Sequence, residues 1–242
     1  MSSANQHIYL SALIQGRDGY DWIDDLDGWD DEAPCEWEGI TCEGGNVVSI
    51  KLPDYDLEAT IPPALGELSL LKNIDLSKNM IRGPIPISIF ELPHLETIDL
   101  SENEITGTLR CFSSPALKSM RLDSNLIAGT IPAKCPGLGY NKKLERFSAI
   151  RNNLQGTIPS IFTKMTKLHT LSLSENKLSG TISNGLGKLP NMQYLYLDNN
   201  YFQGTVPSSL GSASLLELWI QENLLSGKYT TILYTMIMNN FT

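Results

Sequence analysis

An α/β repeat solenoid is the fold class this sequence predicts: short strands stacked into a parallel sheet, with irregular or 3₁₀ legs returning behind them. Three observations predict it. The tetrapeptide Gly-Thr-Ile-Pro at 129–132 returns at 156–159 and, as Gly-Thr-Val-Pro, at 204–207. Apolar residues with Leu-x-x-Leu-x-Leu spacing precede it, and one asparagine separates the two. Aligned on these features, eight units begin at Val47, Leu71, Leu95, Leu117, Leu144, Leu168, Met192 and Leu215, with start-to-start spacings of 24, 24, 22, 27, 24, 24 and 23.

Each element of the unit has a physical reading. Leu71, Ile74 and Leu76 alternate as one buried side of a short strand. Asn79 then turns the chain. Its counterparts Asn103, Asn125, Asn152, Asn176, Asn200 and Asn223 form a structural ladder whose amides bond the backbone of neighbouring coils. Tyr55 takes that place in the degenerate first unit. The glycine permits a tight bend, and the proline bars a regular helix or a central strand, so the return leg is expected to be irregular or 3₁₀. No unit buries its leucines alone, so neighbours must stack.

Charge excludes one class of partner. The formal net charge is −9, and residues 18–38 hold ten acids and no base, while the chain from Gly39 onward balances to zero. No clustered basic face exists for nucleic acid. The acidic run reads as a solvated surface, with calcium or a basic partner as the sharper reading.

With its pattern LxxLxLxxNxLxGxIP, the chain resembles the plant-specific class of leucine-rich repeats. The resemblance extends upstream, where Trp29, Cys35, Trp37, Gly39 and Cys42 fall on the N-terminal cap pattern of such proteins, and residues 9–26 are similar to the cap's short helix. It implies a right-handed horseshoe or arc with the parallel sheet on its concave face. Such caps usually carry a disulfide. The resemblance divides the chain into a cap at 1–46, about eight repeats at 47–228 and a degenerate tail at 229–242.

Four cysteines, with Cys35 and Cys42 close together, fit a bridge in the cap. A zinc site is the rival reading, weakened by the distance in sequence to Cys111 and Cys135 and by the placement of His7, His94 and His169. Cys111 and Cys135 lie on return legs of adjacent coils and are a possible second pair. A bridge favours an oxidising compartment, hence an extracellular or cell-surface location. The N-terminus has no basic-then-apolar secretion layout, and no segment reaches the roughly 20 apolar residues of a membrane span. The chain therefore reads either as intracellular or as a piece of a longer precursor, and the cysteines favour the second. Asn240-Phe241-Thr242 is the only glycosylation sequon.

Motifs for phosphate cradles, zinc hydrolysis and nucleophile elbows are absent, so no enzyme activity, cofactor or metal is expected. Gly137-Leu138-Gly139 reads as a bulge, and His94 and His169 as surface residues. Function is then sought on a surface. The resemblance makes the concave face the usual ligand surface, for a protein, peptide or glycan. It points to a noncatalytic recognition domain, the extracellular part of a receptor-like protein. The alternatives are a secreted inhibitor of a hydrolase, as polygalacturonase-inhibiting proteins are, or an intracellular scaffold. In the frame where Leu71 is position 1, the third, fifth, seventh and eighth positions face that side. They bring Arg121, Arg146 and Arg151 to mid-stack and Tyr194, Tyr196 and Trp219 further on, residue types that dominate interface hot spots. An anionic or carboxylate-bearing ligand is the sharp expectation; stabilisation of the sheet itself is the bland one.

Overall fold

A computed structural model describes residues 6–14, 33–133, 142–212 and 214–227. The strand Ile40–Glu43 pairs antiparallel with Asn46–Lys51, and seven parallel strands follow, from Asn73–Asp75 to Glu217–Trp219, to complete a nine-stranded sheet. The register advances one repeat per strand, so Thr97 lies beside Ser119, Ser119 beside Arg146, and Arg146 beside Thr170. Identical repeat positions therefore form straight columns across the concave face. Behind the sheet the legs return through 3₁₀ turns at Pro63–Glu67, Ser160–Lys164, Leu186–Lys188 and Ser208–Ser212.

The alternating apolar positions of each strand point into one continuous core. Leu71, Leu76, Leu95, Leu100, Leu168 and Leu173 are all fully buried in it. Burying each such side chain stabilises the stack by about 1.5–3 kcal/mol. The coil starting at Leu144 departs from the pattern with Phe147 and Ala149, both fully buried. There the Phe147 ring lies 5.7 Å from Phe112 and 5.3 Å from Phe162, so the large ring beside the small alanine keeps the core filled.

The asparagines knit one coil to the next. Asn125 Oδ1 accepts from Ile105 N at 2.9 Å, while its Nδ2 donates to Leu100 O at 2.9 Å and to Leu122 O of its own coil at 3.2 Å. The other six make the same set of bonds, from Asn79 at one end to Asn223 at the other. To aim each amide inward, the preceding residue adopts positive φ, for example 54° at Arg151 and 56° at Glu175.

Three local features depart from the sequence reading. The leg after each asparagine is not wholly irregular: Ala128–Thr130, Asn153–Gly156, Lys177–Gly180, Tyr201–Thr205 and Leu224–Ser226 form a second, lateral parallel sheet, and Arg82–Pro84 pairs with Glu104–Thr106. The proline bars strand geometry only beyond this stretch, which leaves the segment after the asparagine free to bond its neighbour. The cap helix spans Gln6–Ile14 and so begins before Tyr9. Gln6 accounts for the earlier start, because its Oε1 accepts from Val47 N at 2.8 Å and its Nε2 donates to Gly45 O at 3.3 Å. A third difference is a four-residue α-helix, Ile87–Phe90, in a leg expected to be irregular or 3₁₀.

In the cap, Cys35 and Cys42 form a disulfide with a Cα–Cα distance of 5.5 Å, and Trp37 is buried beneath the first coil. Gly39 is required there, since a Cβ would stand 2.4 Å from Lys51 O. Cys111 is also disulfide-bonded, while Cys135 lies outside the described residues. So do Trp29, most of the acidic run, the glycines at 137 and 139, the Asn240 sequon and the tail at 229–242.

Candidate functional site

The columns of the concave face change character along the stack. Toward the N-terminus Asp75 and Asp99 occupy the fifth position, and each accepts bonds from a serine two residues on, Ser77 and Ser101. One oxygen of each carboxylate, Oδ1, is thus engaged within its own coil. At mid-stack the third and fifth positions become Ser148, Thr170 and Ser172, all buried. Small residues there open a depression of about 390 Å³ in the face, with Arg121, Asp123 and Arg146 on one side and Tyr194 and Tyr196 on the other.

The cations differ in what holds them. Arg121 Nη1 lies 2.9 Å from Asp99 Oδ2, and its Nε is 3.6 Å from Asp123 Oδ2. Asp123 in turn accepts from Ser148 Oγ and from Ile150 N, the latter at 2.8 Å, so it is shared among three partners. Arg146 forms no ion pair among the described residues. Arg151 does not line the depression. It occupies the positive-φ position before Asn152, which swings it to the sheet edge, where its Nε lies 2.9 Å from Glu175 Oε2. That exposed pair raises the guanidinium further above its ordinary range, first through the hydrogen bond to Glu175 and then through its charge.

The aromatic side is braced. Tyr196 donates to Glu217 Oε2 at 2.7 Å, and its ring centroid is 5.0 Å from that of Trp219 at 63° and 6.3 Å from that of Tyr194. Burial first, then the bond to Glu217 and its negative charge, push the Tyr196 phenol well above its usual pKa. It stays neutral. Trp219 itself is half exposed and stands outside the depression, against the back of Tyr196.

Of the six residues picked from sequence, the fold thus brings together Arg121, Arg146, Tyr194 and Tyr196, with Trp219 behind and Arg151 apart. The hydroxyl floor and the Glu217 brace lie outside that set. A run of three small residues flanked by bulky ones in the same columns is the signal that would have found the floor.

A leucine-rich repeat family model matches residues 142–202, and a second matches residues 94–114. Among curated relatives, the chain is 32% identical over 117 residues to the LRR receptor-like serine/threonine-protein kinase GSO2 of Arabidopsis thaliana, covering 48% of this chain and 8% of that one. It is 30% identical over 163 residues to pollen receptor-like kinase 2 of Arabidopsis thaliana, covering 66% of this chain and 20% of the relative. The chain therefore spans only a small part of the relatives it matches. Among solved structures, the LRR ectodomain of the plant membrane receptor kinase GASSHO1/SCHENGEN3 from Arabidopsis thaliana superposes with a TM-score of 0.85 at 28% identity, over 96% of this chain and 28% of that one. The PEPR1 structure with AtPEP1 gives 0.78 at 29% identity, over 91% of this chain and 32% of that one. The repeat period, the asparagine ladder and these matches are those of plant-type leucine-rich repeats, which the family models place at 94–114 and 142–202 of this chain.

Proposed function

We propose that this chain is a noncatalytic recognition domain of a receptor-like protein, displayed outside the cell, and that the mid-stack depression is its ligand site. The observation that carries this is Arg146: an arginine without an ion pair among the described residues, beside a buried hydroxyl floor and a braced aromatic wall. Such a guanidinium is poised to pair with an anionic or carboxylate-bearing group of a peptide, protein or glycan, and the neutral rings supply contact area. Arg121, already held by Asp99, would orient the same group; Arg151 and Trp219 would frame the approach.

The likeness to receptor ectodomains supports the reading. The GASSHO1/SCHENGEN3 ectodomain was solved in complex with CASPARIAN STRIP INTEGRITY FACTOR 2, and RGFR1, a plant peptide hormone receptor, with RGF2. The cap disulfide fits an oxidising compartment.

The test is selection of binders from a displayed peptide library. Arg146→Ala and Trp219→Ala are compared with Lys164→Ala, which changes the return side of the stack. Loss of the selected peptides by Arg146→Ala and Trp219→Ala, with Lys164→Ala unaffected, is the expected result. Equal retention by all three folded variants would move the site off the concave face.

A further inference from the structure

The lateral sheet presents a second surface. On the strand Tyr201–Thr205, Phe202 is buried while Tyr201, Gln203 and Thr205 are all exposed, so three alternate side chains share one outward face. Tyr201 is 55% exposed, the largest exposed aromatic fraction among the described residues. It lies beside Ser179 of the preceding strand. The amides of Gln155 and Gln203 make no side-chain hydrogen bond among the described residues.

Charge disappears along this face. In the first coils Arg82 is paired with both Glu58 and Glu104. From Thr106 to Ser226, no ionisable residue occupies either the third or the fifth position after the ladder asparagine. Lys177, in the column that also holds Leu126, Tyr201 and Leu224, is exposed and lies in register beside Gln155. The threonines are held in place. A Cβ at Gly180 would meet Thr157 Cγ2 at 2.7 Å, and one at Gly204 would meet Thr181 Cγ2 at 3.2 Å, so each methyl rests on the next coil and each hydroxyl is presented alike.

A face that repeats threonine at Thr108, Thr130, Thr157, Thr181 and Thr205, with amides at Gln155 and Gln203, benefits most from a ligand that repeats as well, because each period adds a contact without new ordering. Strand spacing sets that period at about 4.8 Å, comparable with one sugar unit of an extended glucan. A single lysine beside the amides gives little attraction for an ionic polymer. Amides and hydroxyls are both donors and acceptors, as sugar hydroxyls require, and an exposed ring offers its face to the C–H face of a pyranose. We infer that the lateral sheet binds a neutral β-linked glucan, with Tyr201 as the stacking platform and Gln155 and Gln203 as the hydrogen-bonding amides. This surface is separate from the concave depression and stands or falls without it.

Affinity electrophoresis of the 242-residue chain through gels containing hydroxyethyl cellulose tests this, with polygalacturonate as the anionic comparison and thermal melts as the folding control. The wild type should be retarded by the neutral polymer, insensitively to salt. Tyr201→Ala should weaken retardation about tenfold, the loss of one interface anchor; the double variant Gln155→Ala/Gln203→Ala should weaken it too, and Arg146→Ala should match the wild type. Absence of wild-type retardation overturns the proposal, as does undiminished retardation of folded Tyr201→Ala. Retardation lost in Arg146→Ala, or seen only with polygalacturonate, would assign the sugar binding to the concave arginines instead.

Discussion

The Tyr196 hydroxyl and the Glu217 carboxylate, on adjacent coils, are joined by a 2.7 Å hydrogen bond that fixes one wall of the concave depression. Tyr196 is also packed edge-on against Trp219. Two constraints on one ring leave it little rotamer freedom to lose when a ligand arrives, which favours affinity.

That bond has a pH signature. The folded pKa of Tyr196 lies above its ordinary value of 10.0, so the folded state holds the proton more tightly than the unfolded chain. The stability this contributes is fully present below about pH 10 and is lost as pH rises through the folded pKa. Thermal melts from neutral to alkaline pH should therefore fall less steeply for Tyr196→Phe than for the wild type. Parallel curves would mean that Tyr196 is not the group responsible.

A second prediction concerns close stacking. Gly180 has φ of 79°, and a Cβ there would lie 2.7 Å from Thr157 Cγ2. Gly180→Ala should cost about 2 kcal/mol, combining left-handed strain with the clash. Thr157→Ser removes the methyl but not the strain, so the double variant should recover part of the loss in denaturant midpoint. Strict additivity of the two single changes would show that the contact carries no energy.

Redox state supplies a third. Cys35 and Cys42 are bridged and Cys111 is disulfide-bonded, so alkylation of unreduced protein should leave its mass unchanged. Uptake of label at Cys35 or Cys42 would remove the cap bridge. The short loop it closes is worth roughly 2–3 kcal/mol in the chain-entropy picture.

Legibility of the sequence follows the repetition. Leu71, Ile74, Leu76 and Asn79 recur because every coil must fill the same core and turn the same corner, so the inner sheet and its columns could be placed in advance. The lateral sheet was hidden, since only one buried residue per coil, such as Phe202 or Leu154, marks it, and its hydrogen bonds run between coils. Arg151 stands apart from the depression for a related reason. Its place in the frame suggested the concave face, but the positive φ that lets Asn152 turn inward carries the arginine to the sheet edge. The floor of Ser148, Thr170 and Ser172 gave a signal only by contrast with the larger residues above and below it.

The asparagine ladder yields a graded prediction. Asn125 is buried, and removing its amide strands Ile105 N and Leu100 O, which lie one coil back and away from solvent. Unpaired buried groups of this kind cost about 1–3 kcal/mol, so Asn125→Ala should lower stability by that amount at unchanged m. Asn223 makes equivalent bonds to Phe202 N and Leu197 O but is only partly buried. Water reaches its partners and replaces part of what the amide supplied, so Asn223→Ala should cost less. The order matters more than either value, because a general loss of helix or strand propensity would affect both sites equally. Denaturant melts showing equal losses at the two positions would mean that the ladder acts through local turn geometry and not through the burial of its bonds.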